Sequence, residues 1–214
     1  KDWEKCCRES RPREYKPLRL ICAGTAGSGK THTIRCLIKK RRRRARDAGK
    51  KGEEVRGCCA LAAPTGSASF QMKFGAATAH RTFGINPFHP FKRLAEQGDT
   101  YNRVRQKLKL ARLMILDERS MLGRMFLGKI GHRSRQVLGE GPGGASLGGR
   151  DFLMVGDDKQ ITPIGDQPLF LDGPYRGRAK QPDNGPAPDA LVGQGLSLRE
   201  ECQDVVILRG MHRR

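Results

Sequence analysis

The sequence predicts an α/β fold, with a parallel sheet flanked by helices on both faces. Three observations point to it. Short apolar runs at Leu20–Ala23, Cys58–Ala63, Leu113–Leu116, Phe152–Val155 and Val205–Leu208 read as strands. Helix-patterned stretches lie between them, and strands alternating with helices build parallel sheets. Between the first strand and the first helix stands Gly24-x-x-x-x-Gly29-Lys30-Thr31, a phosphate-binding loop in the strand–loop–helix context that the motif requires. The 214 residues suit one domain with a sizeable core.

Taken in order, residues 1–17 form a charged, irregular lead-in, and residues 18–214 form the domain. The helix after the loop is predicted from Lys30 to Asp47, with Ile34, Leu37 and Ile38 turned inward. It ends in the basic run Lys39–Arg46, which suits the negative end of a helix dipole. That run reads equally as a solvated helix end, a nuclear import signal or a phosphate-contacting patch. Thr65 is placed to cap a helix running through Phe70, and residues 92–111 look helical and basic. Ser120 is expected to cap a helix whose core stripe is Met121, Met125, Phe126 and Ile130. Residues 139–150 read as a Gly-rich loop and 172–195 as a long Pro- and Gly-rich surface excursion. No internal repeat is visible.

A net charge of +20 points to a polyanionic partner, most simply nucleic acid. No apolar run is long enough to span a membrane. No secretory signal is visible, although the sequence begins at Lys1 rather than Met. The seven cysteines are odd in number and contain no C-x-x-C pair, which argues against a disulfide framework or a zinc site and for a reducing, intracellular setting. Cys22, Cys58 and Cys59 sit in apolar strands and read as small core residues.

The chemistry concentrates at strand ends. In Gly24, Thr25, Ala26, Gly27, Ser28, Gly29, Lys30 and Thr31, glycines let backbone N–H groups turn around phosphate oxygens. The helix N-terminus adds positive potential there. Lys30 can reach the outer phosphates of a nucleoside triphosphate, and the Thr31 hydroxyl can ligate magnesium. Asp117 and Glu118 follow the strand Leu113–Leu116, at the sheet edge where α/β proteins bind ligands. An Asp there can hold the metal ion, and the neighbouring Glu can deprotonate an attacking water, a division of labour suited to hydrolysis. Gln160 follows the strand Phe152–Val155 and can hydrogen-bond the γ-phosphate or the water.

The order and wording of these pieces resemble the Pif-type DNA helicases (the petite-integration-frequency family, relatives of RecD) of helicase superfamily one. The resemblance rests on Gly-Thr-Ala-Gly-Ser-Gly-Lys-Thr at 24–31, Ala-Pro-Thr-Gly-Ser-Ala-Ser at 63–69 and Phe-Gly-Ala-Ala-Thr-Ala-His-Arg-Thr-Phe-Gly-Ile at 74–85. It continues through Leu-Asp-Glu-Arg-Ser-Met at 116–121, Val-Gly-Asp-Asp-Lys-Gln-Ile-Thr-Pro-Ile at 155–164 and Val-Val-Ile-Leu-Arg-Gly-Met-His-Arg at 205–213.

The resemblance implies a RecA-like P-loop NTPase domain that binds ATP and Mg2+ and works on single-stranded DNA and duplex junctions. It implies that Gly27, Gly29, Lys30 and Thr31 hold ATP and magnesium, and that Asp117 and Glu118 coordinate magnesium and activate water. Gln160 and Arg213 would contact the γ-phosphate. Pro64, Thr65, Gly66, Ser67, Thr78, His80 and Phe83 would line the DNA path. There, hydroxyls and backbone N–H groups can bond phosphates, and Phe70, His80 and Phe83 could offer stacking faces. The family's activity is ATP-dependent translocation and unwinding, with roles in DNA repair, recombination and telomere maintenance, in nucleus or mitochondrion, by a monomer. Its second RecA-like domain is expected to be missing from this chain.

Three features depart from the family pattern. Residues 1–17 hold no glutamine that could read adenine, Arg119 replaces an apolar residue, and Gly210 and Met211 replace the usual acidic and amide positions. Two other readings compete. A basic nucleic-acid-binding P-loop module without motor activity fits the charge. A P-loop kinase or GTPase fits the loop, but a kinase usually lacks the acid pair beside a glutamine strand. Asp158-Lys159-Gln160-Ile161 also lacks the closing acid of a guanine motif.

Overall fold

Leu113–Leu116, four apolar residues without a polar interruption, can be buried on both faces only inside a sheet covered on both sides. That is where they lie in the computed structural model, which describes residues 16–139, 144–171, 173–177 and 185–210. The strands are β1 (Arg19–Gly24), β2 (Cys59–Ala63), β3 (Ala77–Thr78), β4 (Leu113–Leu116), β5 (Asp151–Gly156) and β6 (Asp204–Leu208). They form one sheet in the order β3-β2-β4-β5-β1-β6, every pair parallel. The helices are α1 (Lys30–Asp47), α2 (Gly52–Gly57), α3 (Gly66–Met72), α4 (Ala79–Phe83), α5 (Asp99–Leu110), α6 (Arg124–Leu138) and α7 (Pro188–Glu200).

Alternate strand residues point to opposite faces, and the core divides accordingly. Met114, Leu116, Phe152 and Met154 join Val104, Leu108, Ile130 and Leu191 of α5, α6 and α7 on one side. Leu113, Ile115, Leu153 and Val155 join Ile34 and Ile38 of α1, Val55 of α2 and Met72 of α3 on the other. The expected strands and the helix Lys30–Asp47 are therefore present, and Thr65 caps α3 by accepting the Ala68 N–H at 3.2 Å. Cys22, Cys58 and Cys59 are buried free thiols. Among the described residues, no helix is long and apolar enough to cross a membrane.

Three expectations are corrected. The Pro- and Gly-rich stretch is not a surface excursion from Pro188 onward: it forms α7, packed on α6. Gly195 is there for contact rather than for turning. A β-carbon on Gly195 would lie 1.9 Å from the Arg124 carbonyl oxygen, and one on Gly128 would lie 1.8 Å from that of Leu191. Gly128→Ala should push the two helices apart and lower stability by about 1–3 kcal/mol, read as a shift in urea midpoint.

Ser120 does not cap α6. It is buried in the 3-10 turn Arg119–Met121. Asp166, forty residues downstream of Phe126, does the capping by accepting the Met125 and Phe126 N–H groups at 3.2 and 2.9 Å. Within the Gly-rich stretch, Ser146–Gly149 forms a 3-10 turn that buries Leu147.

Candidate nucleotide-hydrolysis site

Because the sheet is parallel, β1, β2, β4 and β5 all deliver their C-terminal ends to one edge, at Gly24, Ala63, Leu116 and Gly156. The residues that follow these ends make the site.

After β1 comes the phosphate-binding loop. Gly27 and Gly29 hold φ of 83° and 90°, values that disfavour any side chain, and Gly29 sits just before α1. A β-carbon on Gly24 would meet Ser28 Oγ at 2.4 Å. Ser28 is buried, and its hydroxyl has no protein partner. Lys30 Nζ donates to the carbonyls of Gly24 (2.7 Å) and Thr25 (2.9 Å), which holds its ammonium over the loop. Thr31 lies half-buried in the first turn of α1.

After β4 comes the acid pair. Asp117 is 6% exposed; its N–H donates to Ala62, and its Oδ1 accepts the Glu118 N–H at 3.0 Å. Burial pushes its carboxyl up to about 6, against the Glu118 N–H bond; the Glu118 charge also raises it, and the Lys30 ammonium lowers it. The Lys30 contribution ties the acid to the loop across two strands. Glu118 stands at φ 52°, ψ 51°, a left-handed conformation costly for a non-glycine residue. Such strain clusters at functional sites.

After β5, Gln160 closes a turn by donating its N–H to the Asp157 carbonyl at 3.1 Å, while Asp157 Oδ1 accepts the Lys159 N–H at 3.1 Å. Glu118 and Gln160 line one cleft of about 310 Å³ together with Thr65, Ser67 and Ser120. Arg119, a departure from the family pattern, has a place here. Its guanidinium pairs with Asp158, which joins the turn bearing Glu118 to the turn bearing Gln160. Gly156 permits this closeness, since a β-carbon there would lie 2.7 Å from the Arg119 nitrogen.

The remaining expected residues divide. Pro64 and Thr65 are half-buried at the end of β2, Gly66 and Ser67 are exposed beside them, and Phe70 on α3 is 84% exposed. Thr78 accepts the Arg81 N–H at 3.2 Å and caps α4. His80 lies against Phe126, ring centroids 4.6 Å apart, and burial, aided by Lys129, lowers its pKa. Phe83 requires a correction. It is 1% exposed in the core and offers no face to a base. Arg213, like Met211, lies outside the described residues.

The residues fit the nucleotide and magnesium that the motif implies. The loop presents backbone N–H groups and an ammonium, and the buried Ser28 hydroxyl is unpartnered. Asp117 is a buried carboxyl whose ionised form a nearby cation would favour. Thr31 and Asp117 would hold the metal. Among the described residues, no three His, Cys, Asp or Glu side chains converge as a metal cage. Magnesium bound to phosphates needs only one or two protein ligands.

The AAA domain family matches residues 13–166 of this chain. No curated protein matches it. Among solved structures, the Pif1 helicase from Bacteroides in complex with ADP-AlF3 and ssDNA is 30% identical at a TM-score of 0.53, over 75% of this chain and 33% of its own. The unliganded Pif1 from Bacteroides sp, at 24% identity and a TM-score of 0.60, matches over 99% of this chain and 42% of its own. The Pif1 helicase from Candida albicans matches at 19% identity and a TM-score of 0.58, over 91% of this chain and 36% of its own. These last two support the fold alone. The chain therefore spans 33 to 42% of the length of these relatives. With its all-parallel RecA-like sheet and the phosphate-binding loop at that sheet's edge, the chain belongs to the AAA domain family and is similar to the Pif1 helicases.

Proposed function

We propose that this chain is the nucleotide-binding domain of a DNA helicase, coupling ATP hydrolysis to movement along single-stranded DNA and to unwinding at duplex junctions. One observation carries the reading. Glu118 and Gln160, from the ends of two strands, share a cleft with Thr65 and Ser67 at the end of a third. A change at the γ-phosphate is thereby adjacent to the segment offered to DNA.

In this mechanism Lys30 and the loop N–H groups bind the phosphates and neutralise their charge. Thr31 and Asp117 would hold magnesium, which would supply Lewis-acid stabilisation of the phosphate oxygens. Glu118 accepts a proton from the attacking water, and the Gln160 amide orients that water. Loss of the γ-phosphate contact shifts the Gln160 turn, and the Arg119–Asp158 pair carries the shift to the turn that bears Glu118. Pro64, Thr65, Gly66, Ser67, Thr78 and His80 border the DNA path in this reading, with Phe70 the available stacking face. We extend the proposal to the family's roles in DNA repair, recombination and telomere maintenance, to action as a monomer, and to a place in nucleus or mitochondrion.

Two experiments test it. Lys30→Ala should abolish magnesium-dependent ATP binding in equilibrium dialysis; full binding by the variant would remove the loop from the account. Phe70→Ala should weaken binding to fluorescent oligothymidylate by ~1–3 kcal/mol while leaving the unfolding midpoint in place. Unchanged affinity would take Phe70 off the path.

A further inference from the structure

β3 pairs with β2 only at Ala62 and Ala63, so among the described residues no strand covers the sheet edge beside Cys59. Side chains from α1, α2 and α5, with the turn at Phe74, wall the gap instead and leave a cavity of about 440 Å³. Cys59 begins β2, whereas the catalytic edge lies at its end, roughly 13 Å away at about 3.3 Å per residue. No residue of the phosphate-binding loop or the acid pair lines this cavity.

Its charged lining is one-sided. Arg42, Arg56, Arg103 and Lys107 face a single carboxylate, Glu53. Among the described residues, none of the four cations makes an ion pair. Three of them instead donate to neutral oxygens. Arg42 Nη2 bonds the carbonyls of Arg56 (3.1 Å) and Phe74 (3.0 Å), Arg103 Nη1 bonds that of Arg81 (3.0 Å), and Lys107 Nζ bonds Thr82 Oγ1 (3.3 Å). These bonds fix the cations in place without neutralising them. Arg42 is further held 5.1 Å from the Phe74 ring centroid, with its Nε buried and unpartnered. Burial, with Arg103 and Arg81 nearby, pushes the Lys107 pKa down, as expected for a cation short of a counter-charge.

A half-buried cavity holding fixed guanidinium forks and an ammonium matches a tetrahedral oxyanion, whose several oxygens accept from more than one donor. We propose that this pocket is a second phosphate-binding site, which takes phosphate groups at the sheet edge remote from the nucleotide. A nucleic-acid backbone and a free polyphosphate present the same chemistry.

The test uses Arg56→Gln/Arg103→Gln, two exposed positions whose loss should leave the unfolding midpoint unchanged, and Lys107→Gln as a second variant. Lys40→Gln/Arg44→Gln is the control. It removes equal charge from exposed positions two residues either side of Arg42, which places them on the opposite side of α1. If the ligand is a nucleic-acid backbone, the slope of log affinity for oligothymidylate against log salt should become shallower by about 1.4 in the double variant and about 0.7 in Lys107→Gln. The control should keep its slope. If the ligand is free polyphosphate, those slopes stay put. Calorimetric binding of tripolyphosphate, measured in a Lys30→Ala background to silence the phosphate-binding loop, should then vanish in the pocket variants. Pocket variants that match the control in both measurements overturn the proposal, and this outcome leaves the Lys30 and Glu118 tests unaffected.

Discussion

Glu118→Gln is expected to bind magnesium–ATP with unchanged affinity and to hydrolyse it about 10²- to 10⁴-fold more slowly. The substitution keeps the size and hydrogen-bonding shape of the side chain, so the cleft it shares with Gln160, Thr65 and Ser67 should stay intact. What it removes is the capacity to take a proton from water. The left-handed backbone at Glu118 sharpens the comparison. Glutamine pays the same strain as glutamate, so the substitution isolates the carboxylate from the conformation. Single-turnover hydrolysis beside equilibrium ATP binding reads both quantities. A fall in affinity equal to the fall in rate would give Glu118 a binding role instead.

Asp117→Asn should stabilise the fold while impairing its chemistry. The folded-state carboxyl is raised to about 6 from an ordinary 3.8, chiefly by burial. A raised pKa means that the folded state holds the proton more tightly than the unfolded chain does. The stability this represents is fully present below about pH 4 and is lost as pH rises through about 6. By about pH 8 the ionised Asp117 costs about 3 kcal/mol. Asparagine carries no such cost, and its Oδ1 can still accept the Glu118 N–H. Urea unfolding should therefore show the variant and parent converging near pH 4 and the variant ahead by about 3 kcal/mol near pH 8. A gap independent of pH would show that Asp117 is not desolvated as the structure has it. Magnesium-dependent nucleotide binding should weaken in the same variant, because an amide is a poorer magnesium ligand than a carboxylate.

What the sequence made legible follows from which interactions are local. The central strands were visible because burial on both faces leaves an uninterrupted apolar run, as in Leu113–Leu116. The loop was visible because Gly27 and Gly29 need backbone angles that side chains disfavour, and such positions leave glycines in a fixed pattern. Thr65 was readable because it caps a helix three residues away. The misses are long-range. Asp166 caps α6 from far downstream, and nothing near Ser120 signals that. Gly195 falls in a stretch whose glycines and prolines read as an excursion, yet it clears the backbone of a neighbouring helix. Phe83 looked available because His80, Arg81 and Thr82 before it are polar, but tertiary packing turned it inward. Arg119 looked anomalous until the β5 turn brought Asp158 to it.

The proposed function has the cleft between Glu118 and Gln160 hydrolyse ATP in response to DNA gripped by the adjoining segment. Its most direct test is the rate of ATP hydrolysis by the natural full-length protein with and without single-stranded oligothymidylate. DNA should raise the rate, and the rise should be lost in Glu118→Gln. A rate that DNA never changes would contradict it.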